Sequence, residues 1–598
     1  MEQQPTIRIS APDAELTALS FCKSNPVSLR DWIGGLPMAN TAEAATQLRQ
    51  ATFEVARLQV DFATRLALLE ELRPTLHYLS ARLDRTAATN NAHSDAIARL
   101  TQRLQTNLCS GYKAVVLEAL SDPQQEGAND AISLSIHRAL SDFSRTLLRT
   151  LQFYVAPADR LWLELNQLYL LAESLHLEGA RWEDSENHAQ TSITTAEAYA
   201  RSVLLAMSKP NQLRHNQLNA VFNALESWTP NVSIDSQVGD ALFSIDLASN
   251  QGPRYTKLLE APEAPRGVQT HVLVLELEAY LKELDSNAQV PDYLDDALVG
   301  HLVDSWGVMQ PRAFRRAPAS GSIKVCIGLR PAHYYLSGGV DFVDQLESTD
   351  AMLRREVNPF LVQDGIDVNS SPEEQTRKDV WDDAFDLGVK IPINPEIADP
   401  DKALLQGYGR NKQAADAQEE VSVRFYDTSA VDTSPGGYQI RWNEPLPANV
   451  QTGEIVALRD QEDPRWSIAV IRWIRQDSEG TSMGVQLISP RAIPVAVRVI
   501  NKRGGPSDFA RALLLPELAP IGQPASLITP LVPFQAGQKI HIHRQGVQTT
   551  AQLSRCTLKT QSVNQFTFRM LDGYLENTQI NLKIADLSAI GSSEPGDP

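Results

Sequence analysis

With 598 residues the chain is too long for one hydrophobic core, so three or four domains are expected. Apolar residues make up 42% and charged residues 21%, a globular composition, and the formal net charge of −19 opposes binding of nucleic acid or anionic lipid by the molecule as a whole. Four widely spaced cysteines (Cys22, Cys109, Cys326, Cys556) include no CxxC pair, which argues against a disulfide framework or a zinc knuckle and fits a reducing compartment.

The first residues, MEQQPTIRISAPDAEL, lack a basic segment followed by an apolar run, and no stretch of about 18 apolar residues occurs anywhere. A cytoplasmic protein without signal peptide or membrane span is expected. Residues 40–230 carry helical periodicity. Over 48–85, Leu58, Phe62, Leu66, Leu69 and Leu72 recur at steps of three and four, which predicts one buried stripe with a kink or junction at Pro74. Further helices are predicted over 132–152, 157–177, 194–207 and 212–227, with prolines 157 and 210 at junctions between antiparallel neighbours. ALFSIDL (241–247) reads as a strand, and 270–285 gives a mixed strand and helix signal.

After about residue 306, short β-branched runs with turn punctuation replace the helices. They are SIKVCIGL (322–329), VSVRFY (421–426), YQIRW (438–442), EIVALR (454–459), WSIAVIRWI (466–474) and MGVQLIS (483–489). The acidic, turn-rich stretch 331–420, with short helical candidates in VDFVDQLE and KDVWDDAFDLG, reads as a partly disordered insertion. SLITPLV, KIHIHR and QFTFRML belong to a second β domain. The expected order is therefore a mainly α-helical region 1–300 of one or two subdomains, a β-barrel region 308–493 containing the insertion, a β domain 494–588 and a disordered tail 589–598. The fold class is multidomain α+β.

Asp-Thr-Ser occurs twice in FYDTSAVDTSPGGYQIRW (425–442), and only the second copy runs into Pro435, Gly436 and Gly437. An aspartic-protease site needs glycine directly after the hydroxyl residue and two convergent carboxylates, and serine stands in that place in both copies. Ser434-Pro435-Gly436-Gly437 instead predicts a type II turn, with proline second and Gly436 at positive φ in the third position. The first copy is placed at a strand end, where its hydroxyls satisfy local backbone groups.

The second copy also fits [DN]xSxxG through Asp432, Ser434 and Gly437, and QPRAFRRAPASGSIKVCIGL upstream contains RxxxR at Arg312 and Arg316. Together these elements resemble the PilZ domain, the bacterial receptor module for cyclic di-GMP, in which RxxxR precedes the first strand of a six-stranded antiparallel barrel. WSIAVIRWIRQ and GTSMGVQLIS are similar to that family's late strands. The resemblance spans 308–330 and 420–493, with about 115 residues between the two motifs. It implies a cyclic di-GMP ligand held by Arg312, Arg316, Asp432, Ser434 and Gly437, with Arg315 and Gly436 as secondary candidates. Arginine suits such a ligand because it bonds phosphate or the guanine edge in bidentate fashion and stacks on purines. Near the second motif, GYGRNKQ offers Arg410 and Lys412 as replacements for the arginine pair, and they do not form RxxxR. A barrel without that pair would resemble the nucleotide-free PilZ proteins that serve as adaptors.

His541 and His543 share one face of a strand, but no cysteine or carboxylate beside them completes a metal site. WDDAF (381–385) reads either as a helix that docks on a partner or as a solvated face with a few anchors. GxGxxG, Walker and HExxH motifs are missing. The expectation is a non-enzymatic receptor without cofactor or metal, signalling through reorientation of the helical half toward an unidentified protein partner. That partner would engage the helical half or the acidic insertion.

Overall fold

The computed structural model describes residues 6–89, 94–155, 157–158, 160–309, 316–347, 423–444, 446–447, 450–460, 465–477, 480–500, 506–518, 523–544, 547–560 and 562–571. These fall into two compact units, 6–309 and 316–571. The architecture is multidomain α+β, with a helical N-terminal half followed by two six-stranded antiparallel barrels.

The first unit is built on α1 (Pro26–Gly34), α2 (Thr41–Arg57), α3 (Phe62–Thr89), α4 (Ser94–Ser121), α5 (Ala128–Gln152) and α6 (Leu161–Ser174). A hairpin of β1 (Arg181–Glu183) and β2 (Ser192–Thr194) leads into α7 (Thr195–Met207) and α8 (His215–Trp228). A small sheet follows, with β3 (Ser233–Asp235), β4 (Phe243–Asp246), β5 (Arg254–Tyr255) and β6 (Pro265–Gln269) in the order β3-β6-β4-β5. Helices α9 (His271–Leu281) and α10 (Asp296–Gly307) complete the unit. Leu48, Leu69, Leu108, Ile136, Leu165 and Val203, from six of these helices, meet in one core.

The single stripe expected over 48–85 is two helices. The chain turns extended at Leu58, and Asp61 restarts it by accepting the Thr64 amide at 2.9 Å. Pro74 causes no break: it lies inside α3 with its ring on the exposed face, where water can replace the helix bond that proline forgoes.

The helical packing also encloses a layer of charge. Arg73 of α3 donates to Asp142 of α5 (3.2 and 3.0 Å) and to Asp184 beyond β1 (2.8 and 3.0 Å). The Ser141 hydroxyl also donates to Asp184 at 2.8 Å, and His77 Nε2 lies 2.9 Å from Asp142. Burial pushes both carboxyls up, but the adjacent Arg73 guanidinium outweighs it and holds them well below the usual carboxylate range. Deep in α5, His137 has no hydrogen-bond partner on either ring nitrogen, and burial, with Arg138 nearby, pushes its imidazole down to about 4.

In the second unit, β7 (Ala317–Pro318), β8 (Ser322–Ile327), β9 (Tyr426–Ser434), β10 (Gly437–Trp442), β11 (Ile455–Asp460), β12 (Ser467–Asp477) and β13 (Gly480–Ser489) form the middle barrel. Six of them close in the order β8-β9-β10-β13-β12-β11 and back to β8, while β7 lies against β9. The second barrel, β14 (Ile493–Val499), β15 (Ala510–Leu515), β16 (Ser526–Pro530), β17 (Lys539–Arg544), β18 (Val547–Lys559) and β19 (Val563–Met570), closes as β14-β15-β16-β19-β18-β17. Two short helices, α11 (Leu329–Leu336) and α12 (Phe342–Glu347), lie within what reads from sequence as the start of the insertion. Ala332 of α11 is buried with Cys326 and Ile455 of the middle barrel and Leu513 and Ile528 of the second, so the two barrels share one core.

The strand expected over 421–426 begins only at Tyr426 and runs on to Ser434, so it contains both Asp-Thr-Ser copies. Thr428 of the first copy points inward, is fully buried and donates to the Ile323 carbonyl at 2.8 Å. The hydroxyl therefore satisfies a backbone group in the middle of a ladder, not at a strand end.

Candidate ligand site on the middle barrel

Two aspartates five residues apart on a regular strand point to opposite faces. The structure resolves this with a bulge. In the β9–β10 ladder Asp432 pairs with Gln439 and Ala430 with Ile440, leaving Val431 as the extra residue. Ile440 is fully buried in the barrel, so Gln439 and its partner Asp432 face outward, and so does Ser434, which pairs with Gly437.

Strand β7 brings the upstream arginine segment to this face. Ala317 pairs with Thr433 and Pro318 with Asp432, and the Ala319 amide donates to the Val431 carbonyl at 3.0 Å. Arg316, the residue before β7, thereby reaches Asp432 (Nη1 to Oδ2, 3.0 Å) and Gln439 (Nη1 to Oε1, 3.2 Å). The chain thus crosses the interval between the two motifs and returns to the same surface. Gln439 was not singled out from sequence, because it belongs to neither motif; only the register places it opposite Asp432.

The turn differs from expectation. The positive φ belongs to Gly437 (151°), not to Gly436. Gly437 opens β10 opposite Gln486 of β13, and a Cβ there would stand 1.9 Å from the Val485 carbonyl oxygen. The glycine is required by close strand approach as well as by backbone angle. Gly436 accepts the Leu487 amide through its carbonyl at 2.9 Å, tying the turn to β13, and the Ser434 hydroxyl donates to the Gly437 carbonyl at 3.3 Å.

A second glycine extends the bare floor. Gly484 of β13 pairs with Gln439 on one side and Trp473 of β12 on the other, and a Cβ there would lie 2.0 Å from the Trp473 Nε1. The indole therefore lies across Gly484. Among the described residues, the patch is bounded by Arg316 on one side and Trp473 on the other, with Asp432, Ser434, Gln439 and two glycines between. Arg312 and Arg315 lie outside the described residues, as do Arg410, Lys412 and the WDDAF segment. His541 and His543 are not at this site: they lie on β17 of the second barrel, where the His543 ring packs on Phe509 at 5.7 Å. No cluster of histidine, cysteine and carboxylate side chains suited to a metal ion occurs among the described residues, and no described helix is long and apolar enough to cross a membrane.

A closed six-stranded barrel with an arginine segment laid beside its Asp-x-Ser-x-x-Gly hairpin is the architecture of a PilZ-domain protein. Residues 242–494 match the family model for the middle PilZ domain of the cyclic-di-GMP receptor FimW, 27–238 that for its N-terminal domain and 495–571 that for the FimW C-terminal β-barrel domain. A curated relative, the cyclic-di-GMP receptor FimW of Pseudomonas aeruginosa, is 32% identical over 589 residues, covering 95% of this chain and 94% of the relative. The chain belongs to the FimW family. No solved structure matches it.

Proposed function

We propose that this protein is a receptor for cyclic di-GMP, which it binds on the outer face of the middle barrel. The observation that carries this reading is the placement of Arg316 against Asp432 and Gln439 by β7. In the apo protein the carboxylate orients the guanidinium. That exposed pair is worth no more than about 1 kcal/mol, so a phosphodiester or a guanine edge can take Arg316 over at little cost. Arg312 supplies the second guanidinium, Asp432 and Ser434 bond the ligand, and the bare backbone at Gly437 lets it approach closely. Arg315 and Gly436 act at the rim. Charge-assisted bonds of this kind contribute about 1.5–3 kcal/mol each. Four or five of them, less ordering costs, agree with an affinity near the micromolar level.

The ligand would order the arginine segment and reorient the helical half toward a protein partner, a population shift rather than a reaction. Support for the ligand itself comes from the FimW relative, whose name records a cyclic-di-GMP receptor.

Isothermal titration of the full chain with cyclic di-GMP tests the reading. Wild type should bind near the micromolar level, and Arg312→Ala and Arg316→Ala should each weaken binding by about tenfold or more. No heat from wild type at tens of micromolar would overturn the receptor assignment, and binding that survives both substitutions would place the site elsewhere.

A further inference from the structure

The outer face that carries the candidate site does not end at Gly437. Its β13 partner Gln486 also lines a cleft of about 270 Å³ between the two barrels of the second unit. That volume is below the roughly 300–1,000 Å³ that encloses a whole drug-sized ligand, so the cleft has room for part of one.

The wall on the middle barrel is basic. Arg472 is the bulged residue of β12, between Ile471 and Trp473 in the ladder with β13. Its Nε donates to the neutral Gln486 side chain at 2.6 Å. Among the described residues no carboxylate pairs with it, and its two terminal nitrogens have no partner.

The wall on the second barrel carries hydroxyl and amide groups, from Ser526, Thr557, Gln565 and Thr567, beside the apolar Pro524 and Leu558. Thr557 of β18, an exposed residue, donates its hydroxyl hydrogen to the Gln565 carbonyl at 3.2 Å, which leaves its oxygen free to accept. Thr567 of β19 donates to the Arg555 carbonyl at 3.3 Å and accepts the Arg555 amide at 3.1 Å. A guanidinium whose terminal nitrogens are unpaired shares this cleft with hydroxyl acceptors, and the combination complements a guanylate. Arginine suits its phosphate or its O6/N7 edge, and the threonine oxygens suit the N1 and N2 hydrogens.

We propose that this cleft is a second subsite, which takes one guanylate half of the cyclic dinucleotide while Arg316 and Asp432 hold the other. The ligand then touches both barrels, and the C-terminal barrel is part of the receptor site. The inference rests on the cyclic di-GMP reading above and deepens it.

The test is titration of the full chain with cyclic di-GMP for wild type, Arg472→Gln, Arg472→Lys and Thr557→Trp, with melting temperatures of the ligand-free proteins as the folding control. Arg472→Gln should weaken binding about ten- to a hundredfold, and Arg472→Lys should restore part of it. Thr557→Trp, which fills the cleft from the second barrel and removes nothing from the middle one, should cost at least about tenfold. Should the tryptophan lower the melting temperature, the exposed Arg472→Gln decides. If wild type binds and both Arg472→Gln and Thr557→Trp match it, the subsite is overturned while the receptor reading stands. If wild type does not bind at all, the receptor reading fails first and the subsite falls with it.

Discussion

Two arginine–aspartate pairs, one in each unit, use the same chemistry for opposite ends. Arg73 and Asp142 have side chains 5% and 0% exposed, and Arg73 meets a second carboxylate in Asp184. Arg316 and Asp432 are 37% and 20% exposed, and the only other group Arg316 bonds among the described residues is the neutral Gln439. Where the pair is dry and saturated, each member has nowhere else to go, and breaking it strands a charge. Where the pair is wet and singly bonded, water and salt already compete for it, so a ligand can as well. Ion pairing alone therefore does not mark a site; exposure and unused bonding capacity do.

The comparison is most directly tested by truncating both arginines. Arg73→Ala should destabilise the helical unit by about 3–5 kcal/mol, because two buried carboxylates lose their common cation, read as an early loss of helical circular dichroism in urea. A loss under about 1 kcal/mol would show those carboxylates to be hydrated and would erase the contrast. Next in size is Gly437→Ala. The new Cβ must push the Val485 carbonyl away from 1.9 Å at a positive φ, and the middle barrel should lose about 3 kcal/mol by thermal denaturation. The smallest stability effect belongs to Arg316→Ala, which should change the melting free energy by less than about 1 kcal/mol while reducing ligand binding. A larger destabilisation would make Arg316 a structural residue like Arg73.

Much of this architecture was legible in the chain. Leu69 and Leu72 in α3 announce their helix by spacing, and Ile455–Asp460 and Ser467–Asp477 announce strands by their β-branched runs. The pairing of Arg316 with the Asp432 turn was legible only through resemblance, because more than a hundred residues separate them and no local rule joins them. Other features depend on register. Val431 carries no mark of a bulge, Gln439 gains its place only by facing Asp432, and the positive φ moves from Gly436 to Gly437 because β13 passes so close. The buried charge layer was hidden for a different reason. Arg73, Asp142 and Asp184 read locally as solvent-facing, and only the packing of α3 against α5 and the β1 hairpin removes them from water.

The bulge at Val431 gives this strand a parity. Losing or gaining one residue between the two Asp-Thr-Ser copies would turn Asp432 and Ser434 into the barrel interior, whereas two residues at once would leave them outside. Length variation here should therefore come in steps of two among relatives that keep the site. An odd step should be found together with loss of the aspartate, since a carboxylate turned inward beside Ile440 and Met483 would have no partner.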